Sequence, residues 1–117
     1  RELLWDVGLD KLSFEVIQSQ EPSESPLDTP LYSVITQVLK DFDPNCAVTP
    51  TLMTGGTDSR FFRRAGSTCY GFHPLRSETH FGEKATRREH GIDERISVEN
   101  LVFGASILYE TIKRFMT

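Results

Sequence analysis

With 117 residues, 38 % of them hydrophobic and eight of them Phe, the chain is long enough for one small domain with a core of its own. Its net charge of −4 excludes a general nucleic-acid binder, which needs a cationic face. No apolar run approaches the ~20 residues of a membrane span. Cys46 and Cys69 are too few for a disulfide framework and read as two ordinary buried or half-buried thiols. A single bridge would need an oxidising compartment, which the sequence does not name. The start, Arg1-Glu2-Leu3-Leu4-Trp5, does not read as a signal peptide and lacks an initiating Met, so a fragment or a processed product is the expectation.

Residues 1–12 carry Leu3, Leu4, Trp5, Val7, Leu9 and Leu12 in an amphipathic pattern that Gly8 interrupts, which suggests the end of a short helix. Residues 13–20 (SFEVIQSQ) are rich in β-formers and predict a strand. Residues 21–28 (EPSESPLD) hold two prolines, two serines and three acids, a composition that builds no core and marks a linker. Thr29-Pro30 then opens a helix, Thr as N-cap and Pro pre-set for the first turn. Leu31, Ile35, Val38, Leu39 and Phe42 give it one apolar stripe, and Asp43-Pro44-Asn45 ends it.

Residues 47–54 (AVTPTLMT) predict a strand, edge-like or irregular because of Pro50. Gly55-Gly56 turns the chain into a short helix over 59–65, capped by Thr57 or Asp58, with Gly66 where a left-handed C-terminal residue is wanted. Residues 68–72 (TCYGF) predict another strand, and 73–95 a long loop poor in apolar residues. Loops of that length in small domains are more often functional or mobile than structural. The last helix has Ser97 as N-cap and Glu99 in its first turn. Val98, Leu101, Val102, Ala105, Leu108, Tyr109, Ile112, Phe115 and Met116 follow at helical spacing, a stripe that needs a broad apolar surface such as the face of a sheet. The alternation of strands and helices argues α/β, yet so few strands suggest a piece of a larger domain.

Two stretches carry candidate chemistry. Gly55-Gly56-Thr57-Asp58-Ser59-Arg60 has the strand, glycine turn and helix start that aim backbone N–H groups at an anion, with two hydroxyls and a guanidinium fork beside them. It is not a nucleotide loop, since neither GxGxxG nor GKS/T is present, and a plain strand–helix connection capped by Asp58 explains the same residues. His90 lies among Asp93, Glu94 and Arg95, where imidazole could bind zinc with carboxylates orienting its second nitrogen; a surface histidine in a charged loop is the alternative. His73 and His80 could join it, but no spacing matches HExxH or a zinc finger. Arg60, Arg63 and Arg64 with Phe61 and Phe62 resemble a nucleic-acid patch only locally, against an acidic chain.

Together "TGGTDSRFFRRAG", "YGFHPL" and "HGIDERISVENL", in this order, resemble the C-terminal part of the aminoacylase/carboxypeptidase S family of zinc-dependent metallopeptidases and N-acyl-amino-acid amidohydrolases. The resemblance runs from about residue 13 to the end. It implies a three-layer α/β/α catalytic domain holding two metal ions, usually zinc, with an inserted α+β lid that often carries a homodimer contact. On that basis residues 1–20 would end the lid, 21–28 cross back, and 29–117 close the catalytic domain. The resemblance makes His90 a metal ligand and puts Gly56, Thr57 and Arg60 in the stretch lining the pocket near the carboxylate end of a small peptide or N-acyl amino acid. The family's other ligands and its glutamate general base lie upstream, so no catalytic residue is expected in this chain, which alone would be inactive and bind zinc poorly. Where family members often have Ser, this chain has His73, to which no role attaches. A non-catalytic truncated derivative and a small anion-binding α/β module are the alternatives. Compartment and substrate side chain are not legible.

Overall fold

A computed structural model describes residues 13–76, 91–92 and 94–117. Among them are three helices: α1 (Pro30–Phe42), α2 (Ser59–Arg64) and α3 (Val98–Met116). The amphipathic pattern at residues 1–12 lies outside the described residues.

Local chemistry sets the helix ends. Thr29 caps α1, its hydroxyl accepting the Tyr32 N–H at 3.2 Å, and Pro30 takes the first turn, where its missing N–H costs nothing. Beyond the helix, the Asp43 carboxylate accepts the Asn45 N–H at 3.2 Å and turns the chain away. The α2 C-terminus closes as a Schellman motif. Gly66 sits at φ 89°, its N–H reaches the Arg63 carbonyl at 2.9 Å, and the Ser67 N–H reaches the Phe62 carbonyl at 2.9 Å. Ser97 caps α3 by accepting the Asn100 N–H at 3.1 Å.

α1 and α3 are the pair of described helices that pack together. Their contact buries Ile35, Val38 and Ile107, the buried hydrophobic side chains among the described residues. Phe42 meets Phe103 edge-on at 6.1 Å between centroids, and Arg114 reaches across from α3 to Asp41 at 2.6 Å. Arg114 also donates to Glu110 at 2.8 Å, which holds the Glu110 carboxyl below the usual glutamate range. The hydroxyls of Thr36 and Thr111 are buried with no hydrogen-bond partner among the described residues, so the helix pair is not held by polar contacts at its centre.

The stripe expected to bury α3 is the face left open. Val98 is 73 % exposed, Tyr109 68 % and Met116 77 %, whereas the buried positions are Asn100, Gly104, Ile107 and Thr111. α3 meets α1 and residues 74–76 through Asn100, Gly104, Thr111 and the large apolar Ile107, and leaves the expected stripe exposed. The radius of gyration is 18.9 Å, against about 13 Å for a compact chain near this length.

The strands expected at 13–20, 47–54 and 68–72 are not formed, and no strand occurs among the described residues. A strand exists only where its N–H and C=O groups pair with a neighbour. In the first and third of these segments Gln20, Cys69 and Tyr70 make hydrogen bonds to other parts of the chain instead. The α/β/α layering is therefore not seen among the described residues, which show three helices.

Gly104 lets residues 74–76 approach α3. A Cβ there would stand 2.7 Å from Leu75 Cδ2 and 3.1 Å from the Pro74 carbonyl oxygen. Leu75 can swing aside, but the Pro74 backbone must move. Gly104→Ala is expected to leave stability nearly unchanged, the helix-propensity gain of up to ~1 kcal/mol being offset by the crowding. Gly104→Val is expected to destabilise by about 1–3 kcal/mol, measured by urea unfolding, because a branched side chain cannot avoid the carbonyl.

Candidate functional site

The chain between residues 20 and 29, expected as a linker, is mostly exposed but fastened along its length. Arg63 on α2 does most of this. Its Nε donates to Ser25 Oγ at 3.0 Å, one terminal nitrogen to Ser23 Oγ at 3.2 Å, and the other to the Cys69 carbonyl at 2.7 Å. Ser25 Oγ also accepts the Cys69 N–H at 3.0 Å. Tyr70 donates its phenolic proton to the Pro26 carbonyl, so the Thr29 hydroxyl donates to the Tyr70 oxygen. The Tyr70 ring packs on Tyr32 at 5.5 Å. A planar guanidinium with five donors suits this joining of three segments, which a lysine could not copy. Both cysteines are free and half-buried.

The same helix presents Arg60, which α2 holds one turn before Arg63. Arg60 donates through Nη1 to Gln20 Oε1, and its guanidinium carbon lies 4.5 Å from the centroid of the Phe61 ring. Gly56 faces this pair. A Cβ on Gly56 would come within 3.0 Å of Arg60 Nη1 and 3.2 Å of Gln20 Oε1. Thr57 is exposed, and its carbonyl accepts the Arg60 N–H at 3.4 Å. The structure thus brings Gly56, Thr57 and Arg60 together, and adds Gln20, which no sequence pattern singles out.

Asp58 occupies the N-cap of α2 without a side-chain cap bond, so the simple capped-turn explanation of this stretch does not apply as expected. At six residues α2 is also too short to offer a strong anion-binding dipole. What remains at this stretch is one guanidinium on a wall made flat by a glycine. Two concavities lie elsewhere. One of about 500 Å³ runs along α1 and α3 at Phe42, Val102 and Arg114, and another of about 650 Å³ lies at the start of α1 around Asp28 and Ser33. Neither includes Gly56, Thr57 or Arg60, which stand on an open surface.

His90 lies outside the described residues, as do His80 and Asp93. His73 is exposed, its carbonyl taken by the Leu75 N–H at 2.8 Å in a tight turn. Among the described residues no three His, Cys, Asp or Glu side chains converge to hold a metal ion. These residues therefore do not assemble the metal centre that the resemblance implies.

The sequence profile of peptidase family M20/M25/M40 matches residues 5–114. The chain belongs to that family, whose members are hydrolases of the peptidase and amidohydrolase kind and are generally metal-dependent. Among its relatives is the human protein named N-fatty-acyl-amino acid synthase/hydrolase PM20D1, 28 % identical over 111 residues, which is 92 % of this chain and 21 % of that protein. The chain thus spans about a fifth of the length of the relative it matches. No solved structure matches the chain significantly.

Proposed function

We propose that this chain is the C-terminal part of a zinc-dependent M20 hydrolase that cleaves peptide or N-acyl-amino-acid amide bonds next to a free carboxylate. Residues 1–20 end a lid, 21–28 cross back, and 29–117 close the catalytic domain. The observation that carries this reading is the family match over residues 5–114 in a chain that spans only 21 % of its human relative. The open apolar face of α3 is consistent with it, because such a stripe needs a further layer, such as a sheet, to cover it.

Within that frame each residue has a definite task. Arg60 meets the substrate's carboxylate with its guanidinium fork, and Gly56 leaves the backbone bare so that the substrate can approach. Thr57 offers a hydroxyl at the same wall. His90 supplies one neutral imidazole to the metal site. The remaining ligands and the general base come from polypeptide outside these 117 residues, so no chemical step is assigned to this chain alone.

The test compares residues 1–117 with the full polypeptide that carries them. Zinc content and amino acid released from an N-acyl amino acid are measured for both. The short chain is expected to release none and to retain no stoichiometric zinc, and the full polypeptide to do both. Hydrolysis by residues 1–117 alone would contradict the division of the site, and an inactive full polypeptide would favour a non-catalytic derivative.

A further inference from the structure

We infer that Gln20 is a positioning residue for Arg60, fixing its guanidinium for a carboxylate ligand without neutralising it; the inference rests on the carboxylate role of Arg60 given above. A half-buried arginine such as Arg60 still has several free torsions, and a binding site on it is weak unless they are restrained. Arg60 is restrained in two ways. Gln20 Oε1 accepts from Nη1, and the Phe61 ring lies under the guanidinium carbon at 4.5 Å, with Nη1 and Gln20 Oε1 standing where a Cβ on Gly56 would crowd them. Among the described residues none makes a second hydrogen bond to the guanidinium, so its other N–H groups point to no protein acceptor there.

The chemistry of position 20 matters as much as its location. A glutamate of the same length would accept the same hydrogen bond, but its charge would cancel that of Arg60 and compete with the ligand. An amide oxygen orients without competing. Gln20 sits immediately before the 21–28 segment that Arg63 and Tyr70 fasten down, so its backbone is carried by an anchored stretch. The orientation of Arg60 is thereby set from the crossing segment, 40 residues away in sequence.

The experiment uses the full polypeptide and two substrates, an N-acyl amino acid and its carboxamide, with KM and kcat measured for each. Gln20→Glu is expected to raise KM for the acid by about 5-fold, the scale of one exposed ion pair, with kcat and the carboxamide KM unchanged. Gln20→Leu, which removes the acceptor without adding charge, is expected to raise the acid KM by about 2-fold, the scale of one exposed neutral hydrogen bond. Arg60→Gln is the reference and is expected to abolish the preference for the acid. If Arg60→Gln abolishes it while both Gln20 variants behave as wild type, the role of Gln20 is refuted and that of Arg60 stands. If Arg60→Gln leaves the preference intact, the carboxylate reading itself fails. Equal changes with both substrates in the Gln20 variants would show a merely structural contact and overturn the inference.

Discussion

Asn100→Ala is expected to destabilise the folded polypeptide by about 2–4 kcal/mol, from two part-buried backbone hydrogen bonds lost at once. Asn100 is 6 % exposed. Its Oδ1 accepts the Arg76 N–H at 2.8 Å and its Nδ2 donates to the Arg76 carbonyl at 2.8 Å. The side-chain amide thus pairs with the main chain as a neighbouring strand would, in a segment that has no strand beside it among the described residues. The Arg76 guanidinium then lies 3.9 Å over the Phe103 ring, which in turn meets Phe42. Alanine leaves both Arg76 groups without partners.

Asn100→Asp separates the two bonds. The aspartate keeps an acceptor for the Arg76 N–H but turns a second oxygen toward the Arg76 carbonyl. Burial and that repulsion raise its folded pKa above the unfolded value. The variant is therefore expected to be least impaired below the usual aspartate range, where its proton can donate to the carbonyl, and to lose stability as pH rises through the raised pKa. Urea midpoints between pH 3 and pH 7 check this, with exposed Glu99→Gln as a control expected to lose less than about 1 kcal/mol, the scale of a first-turn carboxylate on the helix dipole. A loss under about 1 kcal/mol for Asn100→Ala, or a pH-independent Asn100→Asp, would show that the amide does not hold residue 76.

Asn100 also shows where sequence reading reaches its limit. The ends of the helices were legible because caps are local: Thr29-Pro30, Gly66 and Ser97 each act within four residues of themselves. The packing of α3 was not. Apolar periodicity identifies the face that most needs covering, and on α3 that face is open, with Leu101 57 % and Ile112 55 % exposed. The face that packs within this chain is written in Asn100, Gly104, Ile107 and Thr111, where one side chain is large and apolar. A close helix contact selects small residues, which carry no hydrophobic signal.

The strands fail for a related reason. Residues 13–20 and 68–72 have the composition of strands, but composition cannot supply the neighbour that completes the ladder. At the candidate site, Gly56, Thr57 and Arg60 fall within five consecutive residues and were visible as one motif. Gln20 joins them through a contact spanning 40 positions, which no local pattern announces. Arg63 looked like one more basic residue on a short helix, and its fastening of Ser23, Ser25 and Cys69 emerges only in three dimensions.

His90→Ala in the full polypeptide is expected to lower kcat/KM for an N-acyl amino acid by at least about 100-fold and to reduce bound zinc by one equivalent. Losing a group that merely orients a ligand already costs 10–100-fold, and losing the ligand itself costs more. The histidine falls within the span that the family profile matches, in the sequence Glu89-His90-Gly91-Ile92-Asp93-Glu94. Only the neutral imidazole binds metal, so wild-type zinc affinity is expected to fall as pH drops through the histidine range, with that component of the pH dependence absent in His90→Ala. His73→Ala is the matched control: His73 is exposed beside the tight turn at Leu75, and both zinc content and activity are expected to survive its loss. Metal analysis by mass spectrometry read alongside turnover separates the cases. A His90→Ala protein with full zinc and full activity would remove His90 from the site, whereas one with full zinc and no activity would move it from the metal to the substrate.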